Sequence, residues 1–204
     1  MAQGAPDRGS ARASGDESAV SNAVEIRPAR LEDVDGIVAV HLRSWQATYR
    51  GGVVPDETLE RLEREPPVGA WRDRVADAGA GGRFVLVACR EGSIVGFVWG
   101  FPTDDDDDDP RSVGLIELFH VDPDSWGQGI GRAMISSAIE AMRAFGLGSA
   151  SLWVVDVNAR AQAFYEALGW RRDGTSRLDH LGMGTEAGIP VTAFRYRYAY
   201  ASDW

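Results

Sequence analysis

Near the middle of this 204-residue chain an apolar run, Val113–Val121, leads into Ser125-Trp126-Gly127-Gln128-Gly129-Ile130-Gly131-Arg132 and then into a helical pattern. Ile135, Ala138, Ile139, Met142 and Phe145 fall on one face of that helix, predicted over Gly129–Phe145. Three alternating glycines between a strand and a helix are a strong constraint. Glycine reaches left-handed dihedrals and lets a ligand approach the backbone closely. The first N–H groups of the helix lack internal acceptors, and with the helix dipole they form an anion site. The junction therefore suits a pyrophosphate, although a glycine-rich turn without a ligand explains the bare pattern equally well. A dinucleotide fingerprint would need a third glycine where Arg132 stands, and would normally open the fold rather than lie mid-chain. A nucleotide-triphosphate loop would need Gly-Lys-Ser/Thr, and the chain has no lysine.

The flanking patterns supply the rest of the architecture. Val24–Pro28 alternates like a short strand. In Leu31–Tyr49, Ile37, Val38, His41, Leu42 and Trp45 lie on one helical face, with acids near the N-terminus. Helical character continues through Asp56–Arg64 and Val68–Ala76. Arg83–Arg90 and Ser93–Phe101 read as strands joined at Glu91-Gly92, a hairpin signal. Beyond the glycine loop and its helix come a strand at Ser151–Val157, a helix at Ala159–Leu168, and strands near Trp170–Asp179 and Pro190–Tyr200. A hairpin feeding strand–helix–strand–helix predicts a mixed α/β sheet with a right-handed crossover at its centre.

Charge and composition narrow the function. A net charge of −10 argues against a nucleic-acid partner and favours approach of cations. All 21 basic residues are arginine, which a GC-rich coding sequence explains; such a protein cannot acetylate its own lysines. No apolar run reaches the ~20 residues of a membrane span, and residues 1–22 read as a disordered leader without a signal-peptide core. One domain over residues 23–204, in the cytoplasm, is the expectation. Cys89 is the lone cysteine, and neither His41 nor His180 has partners at metal-ligand spacing, so no metal is expected. The six consecutive aspartates Asp104–Asp109 are expected to form a solvated, self-repelling loop.

Val121-Asp122-Pro123 followed by Trp126-Gly127-Gln128-Gly129-Ile130-Gly131 resembles the acetyl-CoA signature of the GNAT superfamily, with Trp126 where that family carries Gln or Arg. Asn158 and the stretch Ala163-Phe164-Tyr165-Glu166-Ala167-Leu168-Gly169-Trp170 resemble a second element of the same family, in the same order. The likeness spans roughly Val24 to Tyr198. It implies a GNAT fold: a mixed central sheet of about six to seven strands flanked by helices, around a β-α-β unit that binds acetyl-CoA. It also implies transfer of acetyl from acetyl-CoA to a primary amine, with a small-molecule amine favoured over a protein. A homodimer would fit the family's habit. A CoA-binding sensor, catalytically silent on the same fold, is the alternative.

The resemblance assigns roles residue by residue. Backbone N–H groups from Gln128 to Ala133, hence Gln128, Gly129, Ile130, Gly131, Arg132 and Ala133, would hold pyrophosphate, with Trp126 and Gly127 in the same loop. The backbone of Phe119, His120 and Val121 would bind pantetheine as an added strand. Asn158 is a natural helix N-cap and, by resemblance, also a CoA contact. Tyr165 resembles the family's general acid; a packed aromatic beside Phe164 is the other reading. Glu117 is a carboxylate in an otherwise apolar strand, a candidate base or a substrate ligand. Regular alternation would put Leu115, Glu117, Phe119 and Val121 on one face and Ile116, Leu118 and His120 on the other. Trp45 and Tyr49, four apart on a helix, are candidates for the acceptor pocket or for the core.

Overall fold

The computed structural model describes residues 23–181 and 188–200; the expected leader, 1–22, lies outside them. Seven strands form one sheet in the order β1-β2-β3-β4-β5-β7-β6. They are β1 (Glu25–Pro28), β2 (Phe84–Arg90), β3 (Ser93–Pro102), β4 (Val113–Val121), β5 (Ser149–Val155), β6 (Arg171–Leu181) and β7 (Ile189–Ala199). The helices are α1 (Val34–Tyr49), α2 (Asp56–Arg64), α3 (Val68–Ala76), α4 (Ile130–Ala144) and α5 (Ala159–Ala167). Neighbouring strands run antiparallel except β4 and β5, which are parallel and joined by α4.

The sheet is covered on both sides. Phe84, Leu86 and Ala88 of β2 pack with Met134, Ile135 and Ala138 of α4, while Val85 and Val87 pack with Ile37 and Val40 of α1 and Trp71 of α3. The β2–β3 turn is made as expected: Glu91 and Gly92 both take positive φ, 51° and 79°, as a tight hairpin turn requires. β5 starts two residues earlier than its apolar pattern indicates, because Ser149 and Ala150 already pair with Val113 and Gly114.

Alternation along β4 departs from expectation. Trp99 pairs with Leu118 and Gly100 with Ile116, so Glu117 is an extra residue with no partner on β3. This is a β-bulge, and it reverses the parity of the strand. Before it, Ile116 faces α4, and a Cβ on Gly114 would press on Met142 of α4; after it, Phe119 and Val121 face α4. Leu118 joins the α1–α3 side, and His120 stacks near His41 of α1. The expected sharing of faces by Glu117 with Phe119 and Val121, and by Ile116 with Leu118 and His120, is therefore wrong. One inserted residue moves every later side chain to the opposite face.

The aspartate run is also not a self-repelling loop. Arg195 of β7, 3% exposed, donates two hydrogen bonds of 2.6 Å to Asp107 and one of 2.7 Å to Asp173. Arg197 reaches Asp108 at 2.9 Å, and Asp105 accepts from the Trp153 indole at 3.1 Å. Spacing along the chain predicts repulsion, whereas three arginines from β6 and β7 supply the counter-charge. Burial alone would push the Asp173 carboxyl up, but the Thr175 amide and the Arg197 and Arg195 guanidiniums outweigh it and hold it well below the ordinary range. Because that folded value is depressed, its stabilisation is complete above about pH 4 and fades as pH falls further. Arg195→Met should strip Asp107 of its bidentate partner and leave Asp173 with Arg197 as its one guanidinium, read as a lower midpoint in urea denaturation.

Candidate active site

β4 and β5 pair only from Val113↔Ser149 to Ile116↔Leu152. Beyond those four pairs the strands part, at the bulge, and the backbone of β4 from Glu117 onward faces a gap instead of a neighbour on that side. Two cavities open there. One, of about 320 Å³, lies over the glycine loop and is lined by Val121, Trp126, Gly127, Gly129, Ile130, Gly131, Arg132, Arg160 and Phe164. The other, of about 420 Å³, lies towards α1 and α3 and is walled by Trp45, Trp71, Trp99 and Trp153. Tyr49, Phe119, His120, Asn158, Ala161 and Tyr165 line both, so the cavities meet at these residues.

The loop cavity is built by local chemistry. Asp122 is buried, accepts from the Asp124 N–H at 3.0 Å to cap the turn Pro123–Ser125, and takes an Arg43 hydrogen bond at 2.7 Å. Gly127 and Gly129 adopt φ of 74° and 81°, and a Cβ on either would meet nothing within 4 Å. Gly131 is different, since a Cβ there would lie 3.2 Å from the Phe164 ring. The amides of Ile130, Gly131 and Arg132 begin α4, where no intrahelical acceptor exists. The Ala133 amide, by contrast, already donates to the Gly129 carbonyl at 3.1 Å. The Gln128 side chain bridges Arg90 (2.6 Å) and the Asp124 carbonyl (3.0 Å), and so pins the loop from outside the cavity.

Tyr165 sits on α5, 7% exposed, and its hydroxyl makes no hydrogen bond among the described residues. Burial pushes the phenol well above its ordinary value, so it keeps its proton at neutral pH. Phe164 and Trp170 flank its ring, with centroids at 5.2 and 5.7 Å. Asn158 caps α5, its Oδ1 accepting from Ala161 N–H at 3.0 Å. Glu117 lines the aromatic cavity with an exposed side chain that is hydrogen-bonded to none of the described residues. Crowding by the cavity walls pushes its carboxyl up; nearby Arg177 and Arg74 oppose the shift, while Asp104 and Asp179 add to it.

These features have a counterpart among known proteins. The Acetyltransferase (GNAT) family matches residues 40–170. The chain belongs to that family. A GNAT relative, the mycothiol acetyltransferase of Propionibacterium freudenreichii, is 33% identical over 143 residues, which cover 69% of this chain and 41% of that protein. The chain thus spans under half the length of that relative. An uncharacterized N-acetyltransferase of Bacillus subtilis, YuaI, is 27% identical over 161 residues, 78% of this chain and 87% of its own length. In fold, the chain matches the PaiA N-acetyltransferase of Thermoplasma acidophilum, solved with coenzyme A, at a TM-score of 0.69 and 19% identity, over 87% of this chain and 99% of that one.

Within this GNAT site the remaining predicted residues fall on both sides of the junction. Trp45 and Tyr49 are core residues, buried with Leu59, Leu62 and Leu181, and they also line the aromatic cavity. The His120 Nδ1 lies 2.9 Å from Ser44 Oγ, and burial pushes its pKa down to about 4, so the ring is neutral. His41, 3% exposed, accepts the Trp71 indole N–H at Nδ1 (3.3 Å), which places its own proton on Nε2. Trp126 donates its indole N–H to the Val121 carbonyl at 2.7 Å. Over its ring, 3.2 Å from the centroid, lies the Arg160 guanidinium, which has no acidic partner among the described residues. Sequence reasoning passed over Arg160; the signal available was an arginine two residues after the predicted N-cap Asn158, in the first turn of a helix that faces the glycine loop.

Proposed function

We propose that this protein transfers acetyl from acetyl-CoA directly to the primary amine of a small molecule, without an acyl-enzyme. The observation that carries the reading is Tyr165, a buried phenol where the loop cavity and the aromatic cavity meet. The loop cavity fits CoA on its own features: two left-handed glycines leave open space, the first-turn amides of α4 are free to donate, and Arg132 and Arg160 add positive charge. Beyond Ile116 the unpaired β4 edge offers peptide groups to the amides of pantetheine, through Phe119, His120 and Val121. A small acceptor is favoured because the aromatic cavity is walled by four tryptophans, and because a relative is named a mycothiol acetyltransferase.

In this reading the amine nitrogen attacks the thioester carbonyl, the C–S bond breaks, the thiolate receives the Tyr165 proton, and the second proton shed by the acylated nitrogen returns to the Tyr165 phenolate. Glu117 takes the proton that the ammonium must lose before it can attack, through a water in the exposed part of the cleft. The test is release of free thiol from acetyl-CoA with a panel of amines. Turnover of any acceptor supports the transferase; CoA binding with no turnover of any amine would favour a silent sensor. The cofactor half has its own check. Gly129→Asp puts a carboxylate into the open space of the anion site, on a backbone that disfavours side chains. Calorimetry should read acetyl-CoA affinity at least tenfold weaker with the fold retained, and an unchanged affinity would remove the phosphate role from this loop.

A further inference from the structure

Three side chains with full charges line the aromatic cavity: Arg74, Glu117 and Asp179. Asp179 is occupied, ion-paired with Arg177 at 3.1 Å. Arg74 and Glu117 carry opposite charges in one cleft, yet neither forms a hydrogen bond or ion pair with the other or with any described residue. Arg74 instead lies over two indoles, 4.4 Å from the Trp99 ring centroid and 5.1 Å from that of Trp71. Stacking engages the faces of a guanidinium and leaves its N–H edge, a planar fork suited to carboxylates, without a partner. Glu117 and Asp73 act on Arg74 only through space, so the N–H edge of this half-buried cation loses the hydrogen bonds of water without gaining an acceptor, which a ligand carboxylate would supply.

We propose that the acceptor amine carries a carboxylate in the same small molecule, and that Arg74 is the specificity-determining residue that binds it while the amine lies at Glu117. This rests on the acetyltransferase reading above. The favoured body is flat and apolar, since Trp99 and Trp153 line the same cavity as the two charges. An aromatic amino acid has all three parts: ammonium, carboxylate and ring. A polyamine, by contrast, would bring a second cation towards Arg74, against like charge.

The experiment measures kcat/KM by thiol release for matched pairs: L-tryptophan against L-tryptophanamide, L-methionine against L-methioninamide, with tryptamine and spermidine beside them. The amides keep the body and replace only the carboxylate, and their amines are less basic, so amine ionisation does not favour the acids. The acids should be preferred about tenfold or more, with the tryptophan pair faster than the methionine pair. Arg74→Gln should collapse the acid-to-amide ratio towards one, mainly through KM, and Arg74→Lys should restore part of it. Thermal melts of both variants check that α3 still packs. Equal or better turnover of amides, tryptamine or spermidine in the parent, or an Arg74→Gln ratio that matches the parent's, would overturn the carboxylate clamp and leave acetyl transfer standing. Absence of turnover with every amine would instead overturn the transferase reading, and the clamp with it.

Discussion

Tyr165→Phe should lower kcat by about 10³-fold while acetyl-CoA affinity and thermal stability stay near the parent's. The substitution keeps the ring that packs between Phe164 and Trp170 and removes one hydroxyl that bonds to none of the described residues. No internal hydrogen bond is lost, so stability has no reason to fall. What disappears is a phenol proton at the meeting point of the two cavities that has no partner among the described residues; the other tyrosine there, Tyr49, stands beside Asn158. The departing thiolate must then take its proton from water in a site that burial keeps poor in solvent. Rates of thiol release, a CoA titration and a melt on the same preparation make the comparison. Equal losses in activity and stability would mean that Tyr165 is a packing residue only. A leaving group that needs less help offers a further check: an acyl donor with a more acidic thiol should narrow the gap between variant and parent.

The parts of this site that lay in one contiguous segment were legible from sequence. Gly127 and Gly129 announce positive φ, Asn158 announces a cap, and the apolar period of α4 announces the helix that follows the loop, because each of these is decided by a residue and its near neighbours. What escaped is what distant segments decide together. The bulge at Glu117 depends on how β3 aligns with β4, and no period within β4 encodes it. The Asp104–Asp109 run looks repulsive until Arg195 and Arg197, some ninety residues away along the chain, arrive beside it. Nothing in the helical pattern of Val68–Ala76 singles out Arg74, which is set apart only by Trp99, coming across from β3 to stack against it. The bulge also has a functional consequence. Regular alternation would carry Glu117 to the α4 side together with Phe119 and Val121, whereas the extra residue lets one short stretch of backbone serve both cavities. Phe119 and Val121 face α4, and Glu117 faces the aromatic cavity.

That placement makes Glu117→Gln the most exposed expectation of all. Glutamine keeps the volume and the cleft but cannot take a proton, so turnover at neutral pH should fall about 10²-fold. The pH profile carries the distinction. Crowding raises the Glu117 carboxyl above its ordinary value, so the parent's kcat/KM should decline on the acid side through a limb set higher than a free glutamate's. The variant should lack that limb and instead gain rate steadily towards high pH, as more of the acceptor arrives already neutral. A glutamate that only holds the ammonium predicts otherwise: KM rises, while kcat at saturation keeps the parent's profile. Stability gives an independent reading with the opposite sign. A carboxyl whose folded value is raised favours the native state while protonated and opposes it once pH climbs through that value. Replacing it by a neutral amide should therefore leave the melting temperature at pH 8 equal or slightly higher, even as activity is lost. A lower melting temperature together with lower activity would mean that Glu117 holds the bulge in shape, and the proton would then need another acceptor, such as a water on the unpaired carbonyls of β4.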